Sequence, residues 1–164
     1  MKEISILGDN RFETYSKTRA GSRAVILRGE DILLSHETKT DVWMIPGGGL
    51  EEGETPEACC VREAEEETGC IVRPLRHFLT MNEYYEEYRY ISDYFACDVI
   101  GQGQSRLTPG EIRRGLKPVW LPLKEALAMF SRHQDYADTF EEKRGIYLRE
   151  FTALSEFIAQ GKGM

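Results

Sequence analysis

The chain of 164 residues has no run of apolar residues approaching the roughly 18 that a membrane-crossing helix needs, and no secretory apolar segment opens it. It lacks a positive excess: the net charge is −7 and the pI near 5.1, which argues against a protein that holds nucleic acid by its phosphates. Its four cysteines, Cys59, Cys60, Cys70 and Cys97, include no C-x-x-C pair. His36, His77 and His133 stand at no ligand-like spacing, so a zinc site has no support. Adjacent Cys59 and Cys60 do not suit an ordinary structural bridge, and four reduced thiols in a cytoplasmic protein is the expectation. No internal repeat, low-complexity stretch or linker interrupts the chain. One domain spanning residues 1–164 is therefore expected, of a size that supports a single core.

What the chain does have is concentrated between Trp43 and Ile71. Eight of its 28 acidic residues fall between Glu51 and Glu67. Gly47, Gly48 and Gly49 follow a short apolar run ended by Pro46. Three glycines in succession predict a turn whose backbone can take positive φ and lets other groups come close. Thr55 is a good N-cap, Pro56 suits the first helical position, and Gly69 stands where helices end. A helix of about 13 residues, roughly 20 Å long, is predicted between them. Glu63, Glu66 and Glu67 are spaced i, i+3 and i+4 and so share a face. Arg62 lies one turn before Glu65 and Glu66 and can brace the acidic row. A solvated acidic face is the plain alternative, because like charges at this spacing cost only about 0.2–0.5 kcal/mol per pair. Converging carboxylates beside backbone oxygens are also what a hard divalent cation requires.

The rest of the chain reads as strands around that helix. Ile4–Leu7 is a short strand with a turn at Gly8-Asp9-Asn10, and Arg23–Arg28 reads as a buried strand. Ile32–Leu34 forms a hairpin with it, and Trp43–Ile45 leads into the glycines. Ile71-Val72, Phe78-Leu79, Ser92–Ile100 and Val119–Leu121 are further strands. Gly101–Ser105 reads as loop and Pro109-Gly110 as a turn. Leu123–Phe130 reads as a short helix. Thr139 to Glu142 has the spacing of a capping box, and an amphipathic helix is expected over about residues 140–159. Strands on either side of a central helix predict an α/β layered sandwich.

Gly48, Glu54, Arg62-Glu63-Ala64, Glu66-Glu67 and Gly69-Cys70 stand in the register G-x5-E-x7-R-E-U-x-E-E-x-G-U. This pattern resembles the Nudix (MutT-like) box over residues 48–70. All seven fixed positions match. Ala64 and Cys70 depart from the bulky aliphatic that the pattern places at U, a matter of packing. The resemblance implies an α/β/α sandwich with a mixed sheet and a box formed as loop, helix and loop. It also implies a hydrolase that splits a phosphoanhydride bond in a nucleoside diphosphate linked to another moiety. Its cofactor would be Mg2+, with Mn2+ able to replace it.

On that likeness Glu63, Glu66 and Glu67 hold metal, aided by the carbonyl of Gly47. Glu66 or Glu63 activates the water, Arg62 orients the glutamates, and Glu54 supports the loop. Gly48 and Gly49 would lie against the substrate. Glu111 is a further metal candidate, with an exposed turn residue as the alternative. Arg23 and Arg28 can meet substrate phosphates or be surface residues at strand ends. Tyr84, Tyr85, Tyr88 and Tyr90 can stack on a base, although sheet packing is the favoured reading. Tyr88 stands where a residue past the box marks the dinucleoside polyphosphate hydrolases of the family, and the proline of ADP-ribose hydrolases is absent there. A small nucleotide-type substrate is expected in the cytoplasm, with neither nucleic acid nor membrane as partner and a homodimer compatible. The rival class is a non-catalytic module that senses a nucleotide or sugar.

Overall fold

The computed structural model describes residues 2–8 and 13–161. The strands are β1 (Lys2–Leu7), β2 (Lys17–Arg28), β3 (Asp31–Glu37), β4 (Val42–Met44), β5 (Gly47–Gly49), β6 (Cys70–Tyr85), β7 (Tyr88–Gln102) and β8 (Leu116–Pro122). The helices are α1 (Pro56–Thr68), α2 (Pro109–Arg113), α3 (Leu123–Phe130) and α4 (Glu141–Ala159), with a 3-10 turn at His133–Tyr136. The strands run in the order β1-β6-β7-β2-β3-β4, with β5 added to β2 and β8 to β3. The β1–β6 and β2–β7 pairs are parallel and the other pairings antiparallel, so the sheet is mixed.

Alternation along the strands supplies two cores. In β2, Ala24 and Ile26 face one side of the sheet and Val25 the other. The first side is covered by α1 through Cys60 and Ala64, packed on Leu33, Val72 and Phe95. The second is covered by α3 and α4 through Ala126, Phe130, Tyr147, Leu154 and Phe157. Ala64, small where the pattern wants bulk, thus lets α1 sit close on the sheet, and Cys70 at the head of β6 joins the same core. The expected α/β/α sandwich is the observed one.

Several boundaries differ. The pieces anticipated at Ile71-Val72 and Phe78-Leu79 are one strand, β6, broken by bulges near Val72, Pro74 and His77. It joins β7 through a tight turn in which Glu86 takes φ 52°. The tyrosine-rich stretch is split between the end of β6, with Tyr84 and Tyr85, and the start of β7, with Tyr88 and Tyr90, and β7 runs through Gly101, which was expected as loop. Pro109-Gly110 opens the short helix α2, capped reciprocally by Thr108 and Glu111. Helix α4 begins at Glu141 after Phe140, with no side-chain cap, so the Thr139–Glu142 capping box does not form. The turn expected at Gly8-Asp9-Asn10 lies largely outside the described residues. Among the described residues no helix is long and apolar enough to cross a membrane.

The buried stripe of α4 carries a charge. Glu150 is fully buried and accepts hydrogen bonds from Ile45 N at 2.7 Å and Tyr94 Oη at 2.6 Å. Arg149 adds two more at 3.1 and 3.3 Å. Burial pushes the Glu150 carboxyl up, but the Arg149 and Arg23 charges and these donors outweigh it and hold it below its ordinary value. This network ties α4 to the segment just before β5. Tyr94→Phe, which removes one donor to a buried charge, should cost about 2 kcal/mol. That corresponds to a thermal midpoint lower by roughly 4–8 °C.

Candidate active site

The box helix starts and ends as its sequence predicts. Thr55 Oγ1 accepts a hydrogen bond from Ala58 N at 3.1 Å, Pro56 fills the first position, and Gly69 closes the helix at φ 79°. Buried Ser22 anchors this end to the sheet by donating to Pro56 O at 2.7 Å. The other end is held by the segment after β7. Arg106 N and Ser105 Oγ both donate to Glu66 O, at 2.8 and 2.9 Å. That segment leads into α2 and sets Glu111 within electrostatic reach of Glu63 and Glu67.

The three glycines are a strand, not a left-handed turn. Gly47, Gly48 and Gly49 pair antiparallel with Arg23, Ser22 and Gly21, and none takes positive φ. What they supply is room. A Cβ on Gly47 would stand 2.2 Å from Ser22 O, and one on Gly48 would stand 2.5 Å from Glu63 Oε1. Gly48→Ala must therefore displace the Glu63 carboxylate, and a shift of this size predicts a drop of about 10²-fold in turnover with the fold intact. Circular dichroism beside the rate measurement checks it.

Arg62 is the hub of the acidic cluster. Its Nε and Nη2 donate to both oxygens of Glu54 at 2.7 and 2.9 Å, a bidentate fork. Nη2 also donates to Gly49 O at 2.9 Å, and Nη1 to Glu63 at 2.9 Å and Glu66 at 3.1 Å. The guanidinium holds the Glu54 carboxyl down at about 2. Arg62 therefore braces Glu66 as expected, but Glu65 turns away and accepts from Gln104 N at 3.3 Å.

Glu67 behaves differently. It is 4% exposed, and its carboxylate accepts from Ser35 Oγ at 2.8 Å and Gly47 N at 3.3 Å, both neutral donors. Burial raises its pKa to about 8, opposed by the Arg23 charge and helped by Glu63 and Glu111. Burial likewise raises Glu63, with Arg62 opposing and Glu66 and Glu111 adding to it. The expected convergence of Glu63, Glu66 and Glu67 on one point is not the arrangement seen. Glu63 and Glu66 gather on Arg62 while Glu67 points toward the sheet. Among the described residues no three Asp, Glu, His or Cys side chains form a metal-holding cluster. The donor chemistry nevertheless fits a hard divalent cation. Glu63 lies against Gly48 and Glu67 against Gly47, and the Glu63 and Glu111 charges add to the burial that raises the Glu67 pKa.

A cavity of about 420 Å³ opens beside this strip, bounded by Gly48 and Gly49 on one side. Arg23 lines it while donating to Ile45 O at 2.6 Å. Arg28 does not line it, because its guanidinium lies 4.1 Å from the Trp120 ring centre. Tyr84 is core; Tyr85 and Tyr90 line the cavity. Tyr88 stacks on Tyr90 from outside, with centroids 5.4 Å apart. The family marker read at Tyr88 thus falls one residue layer away from the cavity. Glu111 has one oxygen engaged by Thr108 N at 2.9 Å, closing the cap of α2.

A family model for the NUDIX domain matches residues 17–142. The chain belongs to the NUDIX family. Among curated relatives, YjhB of Bacillus subtilis (strain 168), provisionally named an ADP-ribose pyrophosphatase, is 29% identical over 63% of this chain and 54% of its own length. A CMP-5'-(N-acetyl-N-hydroxy-3-aminopropyl)phosphonate hydrolase of Streptomyces rubellomurinus (strain ATCC 31215) is 27% identical over 76% of this chain and 62% of its own. The chain thus spans between half and two thirds of the length of these relatives. The solved structure of a NUDIX hydrolase from Nitrosomonas europaea superposes with a TM-score of 0.66 at 20% identity, covering 87% of this chain and 89% of that one. That likeness establishes the fold.

Sequence reasoning missed Glu83 and Arg149, which line the cavity, and Ser35 and Glu150, which position it. Two signals were present. Glu83 follows Leu79 and Met81 at strand spacing, and Glu150 follows Tyr147 and precedes Leu154 at helical spacing. Each is a charge on an apolar face.

Proposed function

We propose that the protein hydrolyses a phosphoanhydride bond in a nucleoside diphosphate linked to another moiety, such as a nucleoside triphosphate, dinucleoside polyphosphate or nucleotide sugar. The observation that carries this reading is the shared strip β5. Its Gly48 touches the Glu63 carboxylate on one side and bounds the cavity on the other. A ligand in the cavity therefore presents its phosphates to the box carboxylates.

A diphosphate linkage is anionic and repels hydroxide, so its hydrolysis needs positive charge, a positioned water and a base. Glu63 and Glu67 would hold the divalent cation, Mg2+ or Mn2+, with Glu66, the Gly47 carbonyl and Glu111 as further oxygen donors. When bound, the cation supplies charge neutralisation and polarises phosphoryl oxygens. Glu66 or Glu63 takes the proton from the attacking water. Arg62 fixes both side chains, and through Glu54 and Gly49 O it fixes the loop before the helix. Arg23, which lines the cavity, would meet substrate phosphate. The four cysteines, all buried and reduced, fit a cytoplasmic setting.

The test is a panel of nucleoside triphosphates, dinucleoside polyphosphates and nucleotide sugars with magnesium, following nucleoside monophosphate and phosphate release. Hydrolysis of at least one class is expected, at the rate of about 1 s⁻¹ or faster usual for enzymes. Nucleotide binding without turnover on any member would contradict the reading and favour a sensing module.

A further inference from the structure

The cavity contains a buried carboxylate that the proposed reaction does not use. Glu83 lies on β6 two residues after Met81 and four after Leu79, so it points to the side of the sheet covered by α4. It lines the cavity and is 6% exposed. Buried carboxylates nearby are well supplied with donors: Glu150 has Ile45 N, Tyr94 Oη and Arg149, and Glu67 has Ser35 Oγ and Gly47 N. Among the described residues the Glu83 carboxylate has no hydrogen bond and no ion pair. It feels the Arg149 and Arg23 charges from a distance, opposed by Glu150, and burial leaves its pKa above the ordinary value. An unpaired buried carboxylate is expensive, and a structural one is normally given partners.

The walls around it are those of a ligand site. Tyr85, Tyr90, Ile91 and Ile146 provide flat or apolar surface. Gly145 sits inside α4, where glycine costs about 1 kcal/mol relative to alanine, and leaves that part of the wall bare. Apolar walls with a few oriented polar groups are the usual form of a small-molecule pocket. An ionised carboxylate only accepts hydrogen bonds, through two oxygens side by side. Its complement is a pair of adjacent donors.

We infer that Glu83 is the specificity-determining carboxylate of this cavity, accepting hydrogen bonds from two adjacent N–H or O–H donors on the nucleoside of the substrate. On a nucleotide two groups carry such a pair: the N1–H and amino edge of guanine, and the 2′,3′-diol of ribose. The inference rests on the reading above that the cavity receives the substrate.

Calorimetry on the full chain without added divalent cation tests it, because nothing is then turned over. The ligands are the 5′-monophosphates of guanosine, inosine, 2′-deoxyguanosine and uridine. The wild type should bind guanosine monophosphate at least tenfold more tightly than the analogue lacking the donor that is read. That analogue is inosine if the base edge is read and 2′-deoxyguanosine if the diol is read. Glu83→Met should shrink the discrimination to less than threefold, with a thermal midpoint no lower than the wild type, since a lone buried charge is removed. Should Glu83→Met not fold, Glu83→Gln, which keeps one acceptor oxygen, should give intermediate discrimination. Equal binding of all four ligands, no binding of any, or discrimination preserved in the variants would overturn the inference. The hydrolysis panel is run in parallel. Turnover without Glu83-dependent selectivity sinks only this inference, and selectivity without turnover sinks only the proposed reaction.

Discussion

Glu67→Gln is expected to abolish hydrolysis and at the same time make the metal-free protein more stable. Glu67 is 4% exposed and its hydrogen bonds come from Ser35 and the Gly47 amide, neither of which carries charge. Desolvation holds its pKa near 8, so folding without a cation works against this carboxyl. An amide of the same shape avoids that cost, though its NH2 needs an acceptor. The net gain is on the order of 2 kcal/mol, or roughly 4–8 °C in thermal midpoint. Loss of a metal ligand removes several kcal/mol of charge stabilisation from the reaction, about 10³-fold or more in rate. Added magnesium should then raise the midpoint of the wild type and leave that of the variant unchanged, because only a state that binds ligand is stabilised by it. A variant less stable than the wild type without metal, or equally active with it, would contradict the assignment.

Arg62→Ala is expected to be the most destabilising substitution in the box. One guanidinium satisfies Glu54 twice, Glu63, Glu66 and the carbonyl of Gly49. Its removal leaves three partly buried carboxylates facing one another and frees the loop that leads into α1. Breaking a buried pair costs 3–5 kcal/mol, and the partial exposure here reduces that to about 3, or roughly 6–12 °C. Arg62→Lys restores the charge without the planar fork and should recover less than half of the loss. Thermal melts of the two variants decide this. Equal stability of Arg62→Ala and wild type would mean that the cluster is held by something else.

The box was legible because its signals are local. Thr55, Pro56 and Gly69 each act on the backbone within one turn, and the observed helix begins and ends with them. Close approach to the glycines was legible, but they form a strand where a turn was expected, because sequence does not show which groups crowd them. Here Ser22 O and the Glu63 carboxylate crowd the space a Cβ would take. Two segments share capping-box spacing, Thr108 to Glu111 and Thr139 to Glu142. Only the first forms the box, with Pro109 preorganising its first turn, whereas α4 starts one residue later and is held by Lys143, Tyr147 and Glu150 packing inward. The cavity was the least legible part. It joins β2, β5, β6, β7 and the first half of α4, and nothing in one sequence marks Arg23, Glu83 and Arg149 as neighbours. Period-two and helical alternation put Glu83 and Glu150 on apolar faces, a signal the sequence carries and the reading of it passed over.

Direct measurement of divalent-ion binding tests the central claim most sharply. Manganese titrated into the wild type, Glu63→Gln and Glu67→Gln, and followed by electron paramagnetic resonance of the free ion, should show a site in the wild type. Each variant should weaken it at least tenfold. Unchanged manganese affinity in both variants would contradict the assignment of these carboxylates to the metal, and with it the proposed chemistry of the box.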